Sequence, residues 1–194
     1  MLTYLALTVT TITTLTAGLS ALRLRRQLRT DPLTGLGNRL ALIEAFARAR
    51  RRSPMVAVAI GDMNGFKAIN DTHGHRFGDR VLIEAATRLQ RTTRRGELAV
   101  RLHGDEFALL IPCTSTKQAT ERINSYRAAV TALDEVDGQP ITASMALGFM
   151  AAPSDSADLS ALLASADDRM YGDKHNSTRK EELECKSISP AKAS

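Results

Sequence analysis

Residues 101–112, RLHGDEFALLIP, place two adjacent carboxylates in a tight turn between apolar runs. The turn contains His103, Gly104, Asp105 and Glu106. Gly and Asp favour turns for conformational reasons alone, so an exposed turn with solvated charges would explain this pattern without any chemistry. A chemical explanation becomes available because the apolar run at 55–62 ends in a further carboxylate, Asp62. If the hairpin pairs beside that run, the three carboxylates lie together.

Three carboxylates in one place repel one another, and such clusters usually hold a cation. Because the ligands are all oxygen atoms, magnesium is favoured over zinc, and protein-bound magnesium normally carries phosphate groups. The histidines of the HGH motif at 73–75, taken with His103, could also suggest a metal site. They lack a fourth ligand and a suitable helical spacing, which argues against zinc.

A second polar cluster follows the apolar run directly, in GDMNGFKAINDTHGHRFGD at 61–79. Lys67 can bind phosphate, and Asn70, His75 and Asp79 offer hydrogen-bonding groups. A carboxylate such as Asp79 can accept from both the ring N–H and the exocyclic amine of guanine, a donor pair that adenine lacks. Each residue alone is equally consistent with a helix cap.

The elements that must position these groups alternate along the chain. Helical periodicity covers 38–52, 78–95, 117–133 and 157–174, and strand-like apolar runs occupy 55–62, 97–102, 107–112 and 141–150. This order predicts one α/β layer structure with a mixed or antiparallel central sheet.

Composition is that of a single globular domain: the chain has 194 residues, of which 43% are hydrophobic and 24% charged. The two cysteines, Cys113 and Cys185, do not suggest a disulfide framework. The net charge of +5 comes mainly from arginine clusters at 23–29, 48–52 and 88–95. These are typical of solvated helix ends, and without interleaved aromatic residues they do not predict a nucleic-acid partner.

Residues 2–22 contain no charged side chain, and a basic segment follows at 23–29. This length and flank predict a membrane anchor at 1–22 and a basic juxtamembrane linker at 23–30, with the rest of the chain on the cytoplasmic side of the inner membrane. Seven threonines weaken the signal. A dimerisation stalk through Leu15, Leu19 and Leu22 and a misassigned start remain alternatives. A cleaved signal peptide is disfavoured because the basic residues follow the apolar run.

Four blocks resemble the motifs of the GGDEF family of diguanylate cyclases. They are DPLTGLGNR at 31–39, GDMNGFKAINDTHGHRFGD at 61–79, RLHGDEF at 101–107 and ADDRMYGDK at 166–174. The resemblance implies an α/β (α+β) palm-like nucleotide-cyclase fold at 31–178, with a central, mainly antiparallel sheet flanked by helices. The polar segment at 179–194 is then expected to be a disordered tail.

The resemblance also implies a reaction, in which a homodimer condenses two GTP molecules into cyclic di-GMP with release of two pyrophosphates. Carried over by position, the metal ligands would be Asp62, the backbone carbonyl of Met63 and Asp105, holding a pair of Mg²⁺ ions or alternatively Mn²⁺. The catalytic side chains would be Glu106, Lys67 and Lys174. The substrate ligands would be Asn70, His75, Asp79 and Gly104.

Three departures from the family pattern bear on activity. His103 stands where the family has a glycine, and Thr178 replaces a phosphate-binding arginine, with Arg179 one position later. Arg94 and Glu97 occupy the place of the family's R-x-x-D product-inhibition site, with Glu in place of Asp. The alternative function is therefore a catalytically inactive domain that binds GTP or cyclic di-GMP and acts through protein contacts.

Overall fold

A four-stranded antiparallel sheet forms the centre of the protein, with its strands in the order Leu98–His103 (β2), Glu106–Cys113 (β3), Met55–Met63 (β1) and Met145–Pro153 (β6). The computed structural model describes residues 14–20, 23–24 and 27–188, with side chains described as far as Lys174. From residue 39 onward the elements are α1 (Arg39–Ala49), β1 (Met55–Met63), α2 (Phe66–His73), α3 (His75–Thr92), β2 (Leu98–His103), β3 (Glu106–Cys113), α4 (Thr116–Thr131), β4 (Glu135–Val136), β5 (Gln139–Pro140), β6 (Met145–Pro153) and α5 (Leu159–Ile188).

Strand β1 lies in the middle of the sheet, and its sequence MVAVAIGDM is almost entirely buried. It pairs with β3 on one side and β6 on the other, in registers that place Asp62 opposite both Glu106 and Ala146. A buried central strand needs apolar side chains on both faces, which explains the continuous apolar run. The polar end of β1 is thereby held at one end of the sheet.

Helices cover both faces of the sheet. On one face α3 and α4 pack against alternate β1 residues that include Ala57 and Ala59. On the other face α1 and the first half of α5 pack against Val56 and Val58. Two apolar cores on a single sheet confirm the α+β layer structure expected from the sequence.

The predicted order of elements is confirmed, with two additions. No helix was predicted for residues 66–73, but α2 forms there. It is separated from α3 by Gly74, whose φ is +82°. A small hairpin of β4 and β5 follows α4. Both are short elements that hydrophobic periodicity does not detect, because neither presents a long apolar face.

The two ends of the chain differ in how far the structure describes them. Most of the predicted anchor at 1–22 lies outside the described residues; of it, only 14–20 is described, and that piece is helical. Within the described part of the chain, none of the helices combines enough length with enough hydropathy to cross a membrane. At the other end, α5 continues to Ile188, so 179–188 is helical where a disordered tail was expected. This segment contains no Gly or Pro and is rich in Glu and Lys, which favour helix.

Candidate active site

The hairpin between β2 and β3 is braced by a partly buried ion pair. The guanidinium of Arg101 donates from Nε to the carbonyl oxygen of Gly104 at 2.8 Å and from Nη1 to Oδ1 of Asp31 at 3.1 Å. Burial alone would raise the pKa of Asp31, but hydrogen bonds from Thr34 and Arg101 outweigh it and lower that pKa. Gly104 has a φ of +51°, which a glycine adopts without strain. Through Arg101, the turn is connected to Asp31 in the segment 31–39 that precedes α1. The sequence alone did not predict this connection.

The turn lies over the end of β1 and brings the predicted carboxylates together. The backbone N–H of Met63 donates to the carbonyl oxygen of Asp105 at 3.4 Å, and Glu106 is the register partner of Asp62. The pKa of Asp105 is raised, first by burial and then by repulsion from Asp62; Lys174 and His103 lower it in part. Repulsion between two carboxylates is the electrostatic condition that a bound cation relieves.

Lys174 closes this cluster from the α5 side. Its Nζ donates to Oδ1 of Asp62 at 2.6 Å, and the Asp62 side chain is only 14% exposed. The pair joins two of the residues expected to act in catalysis, although they are 112 positions apart in the chain. The structure therefore brings Asp62, Asp105, Glu106 and Lys174 to one end of the sheet.

The cluster has the donor chemistry of a magnesium site that is completed by substrate. Among the residues that the structure describes, no three Asp, Glu, His or Cys side chains converge closely enough to hold a metal ion on their own. Magnesium is usually bound by one or two carboxylates together with substrate phosphates, and Asp62 and Asp105 supply two. Met63, the last residue of β1, lies next to Asp62 and has a backbone carbonyl of the same ligand type. These residues fit Mg²⁺, and equally Mn²⁺, better than zinc.

The second predicted cluster lies on α2 and α3, which follow β1 directly. Lys67 is exposed in the first turn of α2, and His75 and Asp79 are exposed one turn apart at the start of α3. Asn70 is half-buried, and its Oδ1 atom is buried without a hydrogen-bond partner. A Cβ atom built on Gly78 would lie 1.9 Å from that oxygen, so the amide packs directly on the helix backbone. The oxygen is therefore enclosed by α3 and does not face solvent.

His103, the last residue of β2, is exposed and lies beside Glu106. Its side chain is 74% exposed, and Nε2 lies 3.2 Å from Oε2 of Glu106. Both residues line an open cavity of about 420 Å³ between the hairpin, α1 and α5, whose other lining residues are Arg39, Ile60, Leu102, Ser160, Leu163, Ala164 and Asp167. Apart from its two chain neighbours, no residue has an atom within 4 Å of a Cβ atom built on Gly104.

Glu97, predicted as part of an inhibitory site, accepts hydrogen bonds from groups within the protein. Its carboxylate accepts from Nε and Nη2 of Arg122 at 2.7 and 2.8 Å, from the Tyr126 hydroxyl at 2.8 Å and from the backbone N–H of Arg94 at 2.8 Å. Burial would raise the pKa of Glu97, but these hydrogen bonds lower it, and burial raises the pKa of Tyr126 to about 12. The exposed side chain of Arg94 thus has no free carboxylate beside it at Glu97. The side chains of Thr178 and Arg179 lie outside the described part of the structure.

Residues 28–180 match the family model described as "Diguanylate cyclase, GGDEF domain". The diguanylate cyclase DgcP of Pseudomonas aeruginosa is 35% identical over 152 residues, which are 76% of this chain and 22% of that protein. The diguanylate cyclase DgcN of Escherichia coli is 35% identical over 158 residues, which are 77% of this chain and 38% of that protein. The chain therefore spans well under two thirds of the length of these curated relatives.

Solved structures show the same fold. A sensory box/GGDEF family protein from Caulobacter crescentus is 34% identical with a TM-score of 0.70, and the match covers 76% of this chain and 99% of that one. The diguanylate cyclase SiaD of P. aeruginosa, solved in complex with its activator SiaC, is 29% identical with a TM-score of 0.73. That match covers 90% of this chain and 68% of SiaD.

Proposed function

Because the chain belongs to the GGDEF domain family, we propose that it condenses two GTP molecules into cyclic di-GMP and two pyrophosphates. In each half of the reaction a 3′-hydroxyl attacks the α-phosphorus of the other GTP. One P–O bond forms, and the bond to the pyrophosphate breaks. The observation that carries the proposal is the repulsive pair Asp62 and Asp105 beside Lys174 at the open end of the sheet.

Asp62, Asp105 and the carbonyl of Met63 would hold a pair of Mg²⁺ ions, with Mn²⁺ as a substitute. When bound, such ions lower the pKa of the attacking hydroxyl and neutralise charge on the leaving oxygen. The protein's own contribution is the rigid placement of the two carboxylates by the β1–β3 register and the Arg101 brace. Rigid placement matters because a displaced ligand costs more in the transition state than in the ground state.

The remaining side chains act on the proton and on the phosphates. Glu106 lies beside Asp62 with a third of its side chain exposed, and it accepts the proton of the 3′-hydroxyl. Lys174 reaches Asp62 from α5, and Lys67 is exposed in the first turn of α2, a few residues after the end of β1. Two ammonium groups there stabilise the negative charge that develops on the transferred phosphate and the pyrophosphate.

Guanine selection would come from α2 and α3. The half-buried side chain of Asn70 offers its amide to the base or ribose, and the exposed Asp79 accepts from the Watson–Crick edge of guanine. His75 lies one turn before Asp79 and contacts the ribose or base from the same helix face. Gly104 leaves the surface of the hairpin turn clear for the nucleotide.

The reaction needs two bound GTP molecules that face each other, whereas each domain has a single proposed GTP site, at Asp62, Asp105 and Lys174. We therefore assign the active form to a homodimer, with the residues before the domain bringing two copies together at the membrane. The exposed Leu15 and Leu19 on the helical piece 14–20 are consistent with such a helix pair.

The test uses the full-length chain, purified in detergent and incubated with GTP and MgCl₂, with product detected by mass spectrometry. Asp105→Asn should lower the initial rate by about 100-fold or more, because it removes a transition-state ligand. Asp134→Asn is the matched control, since it makes the same change at an exposed aspartate after α4. If a folded, dimeric protein binds GTP without forming product, the inactive GTP- or cyclic di-GMP-binding alternative replaces this proposal.

A further inference from the structure

The ion pair between Lys174 and Asp62 occupies an atom that the proposed metal site requires. Nζ of Lys174 lies 2.6 Å from Oδ1 of Asp62, and the side chains are 43% and 14% exposed respectively. Lys174 also attracts the Asp105 carboxylate, and this attraction offsets part of the rise in the pKa of Asp105. One ammonium therefore neutralises part of the charge of two carboxylates that would otherwise repel each other.

In the arrangement observed, Lys174 competes with a divalent cation for Asp62. A magnesium ion would bind a carboxylate oxygen at about 2.0–2.1 Å, and the ammonium already uses Oδ1. Even if the ion bound through the other oxygen, its double positive charge would lie close to the ammonium and be repelled by it. Movement of the ammonium away from Oδ1 removes this repulsion and leaves both oxygens of Asp62 to the metal.

The backbone of α5 near Lys174 is held in place, so the ammonium moves away from Asp62 by rotation of the lysine side chain. Helix α5 meets β6 backbone to backbone at Gly148, where an added Cβ would lie 2.1 Å from both Ala166 O and Met170 N. One residue before Lys174, the Asp173 carboxylate accepts from Nη2 of Arg127 at 3.0 Å. A fixed backbone with a long, half-exposed side chain allows Nζ to move between two positions without moving the helix.

We propose that Lys174 is an internal counter-cation. Its ammonium pairs with Asp62 until a divalent metal ion displaces it, and the displaced ammonium then pairs with the triphosphate of GTP. Metal and nucleotide then bind cooperatively, since the nucleotide offers Lys174 an alternative anionic partner and leaves Asp62 to the metal. Without nucleotide, Lys174 competes with the metal and keeps metal affinity low. This inference rests on the metal site of the proposed function and adds an ordered exchange to it.

The experiment measures Mn²⁺ binding to the full-length protein by electron paramagnetic resonance of free Mn²⁺, with and without a non-hydrolysable GTP analogue. Without nucleotide, Lys174→Met should bind Mn²⁺ about tenfold more tightly than wild type, within the range of typical site–site coupling. The gain in Mn²⁺ affinity on adding the analogue should be smaller in Lys174→Met than in wild type. Lys117→Met, at an exposed lysine on α4, is the matched control and should behave as wild type.

Two further variants separate the possible failures. Lys174→Arg keeps the positive charge and should retain the weak nucleotide-free binding of wild type, which also provides a test if Lys174→Met does not fold. If Asp105→Asn leaves Mn²⁺ binding unchanged even with the analogue, the metal site of the proposed function is wrong. If binding depends on Asp105 but Lys174→Met binds no more tightly than Lys117→Met, the metal site stands and the counter-cation role is refuted.

Discussion

Replacing Glu97 with glutamine tests whether this residue is an internal anchor. Both Glu97 and Arg122 have side chains that are only 6% exposed, and the carboxylate receives four hydrogen bonds. Glutamine has nearly the same shape but carries one acceptor oxygen and one donor amide. Whichever way the amide turns, an N–H group faces an N–H or O–H donor, and the charge of Arg122 is left without a counter-ion.

The expected loss of unfolding free energy follows from this geometry. Removing one partner of a buried ion pair costs about 3–5 kcal/mol, because the other charge remains buried and uncompensated. Glutamine keeps the packing volume and part of the hydrogen bonding, so we expect the low end, about 3 kcal/mol. For a domain of this size each kcal/mol lowers the melting temperature by about 2–4 °C, which gives a decrease of about 6–12 °C.

Urea unfolding followed by circular dichroism measures this loss, and pH identifies its origin. The folded-state pKa of Glu97 is lowered from an ordinary value of 4.5, so its charged form contributes stability above that value. This contribution disappears as pH falls through the folded-state pKa. The difference between wild type and Glu97→Gln should therefore be constant from pH 8 to about pH 5 and become smaller below pH 4.5.

A double-mutant cycle with Arg122→Met isolates the pair itself. The double variant should be less destabilised than the sum of the single variants by about 2 kcal/mol, since the unpaired charge is gone. A loss below about 1 kcal/mol for Glu97→Gln, or additive single variants, would show that the carboxylate is free to serve another role, such as product binding beside Arg94.

The other predictions concern single contacts. Gly148→Ala should lower the free energy of unfolding by about 3 kcal/mol in urea titrations, because its Cβ would lie 2.1 Å from backbone atoms of α5; wild-type stability would contradict the close approach. Gly78→Ala should raise the KM for GTP several-fold without loss of stability, since its Cβ displaces the Asn70 amide; an unchanged KM would argue against a role for Asn70 in guanine binding. His103→Gly should change kcat less than about threefold, because its ring is 74% exposed and its contact with Glu106 is open to solvent; a much faster variant would show that the ring obstructs the site.

Much of the site could be predicted from sequence because its residues follow recognisable elements. Asp62 comes at the end of a buried apolar run, and Asp105 and Glu106 occupy a turn between two strand-like runs. Antiparallel pairing of those runs is enough to place the carboxylates at one end of a sheet. The second cluster could be located for the same reason, since α2 and α3 follow β1 without a long loop.

Sequence could not decide which partner each charged side chain selects. Arg101 pairs with Asp31, 70 positions away, and Lys174 pairs with Asp62, 112 positions away. These choices depend on which face of each helix is buried and how closely α5 approaches β6, and neither follows from local periodicity. For Glu97, the motif suggested part of a product-inhibition site, and the fold brings Arg122 of α4 beside it.

The sequence by itself determined the order of the elements, the apolar central strand and the chemical types available at its end. Local periodicity and turn residues decide these, and they act over a few positions. Only the tertiary structure decided that His103 lies beside Glu106, that Glu97 pairs with Arg122, and that Lys174 pairs with Asp62. The physical reason is that electrostatic partners are chosen by distance in space, which the fold sets only after the sheet and its covering helices have come together.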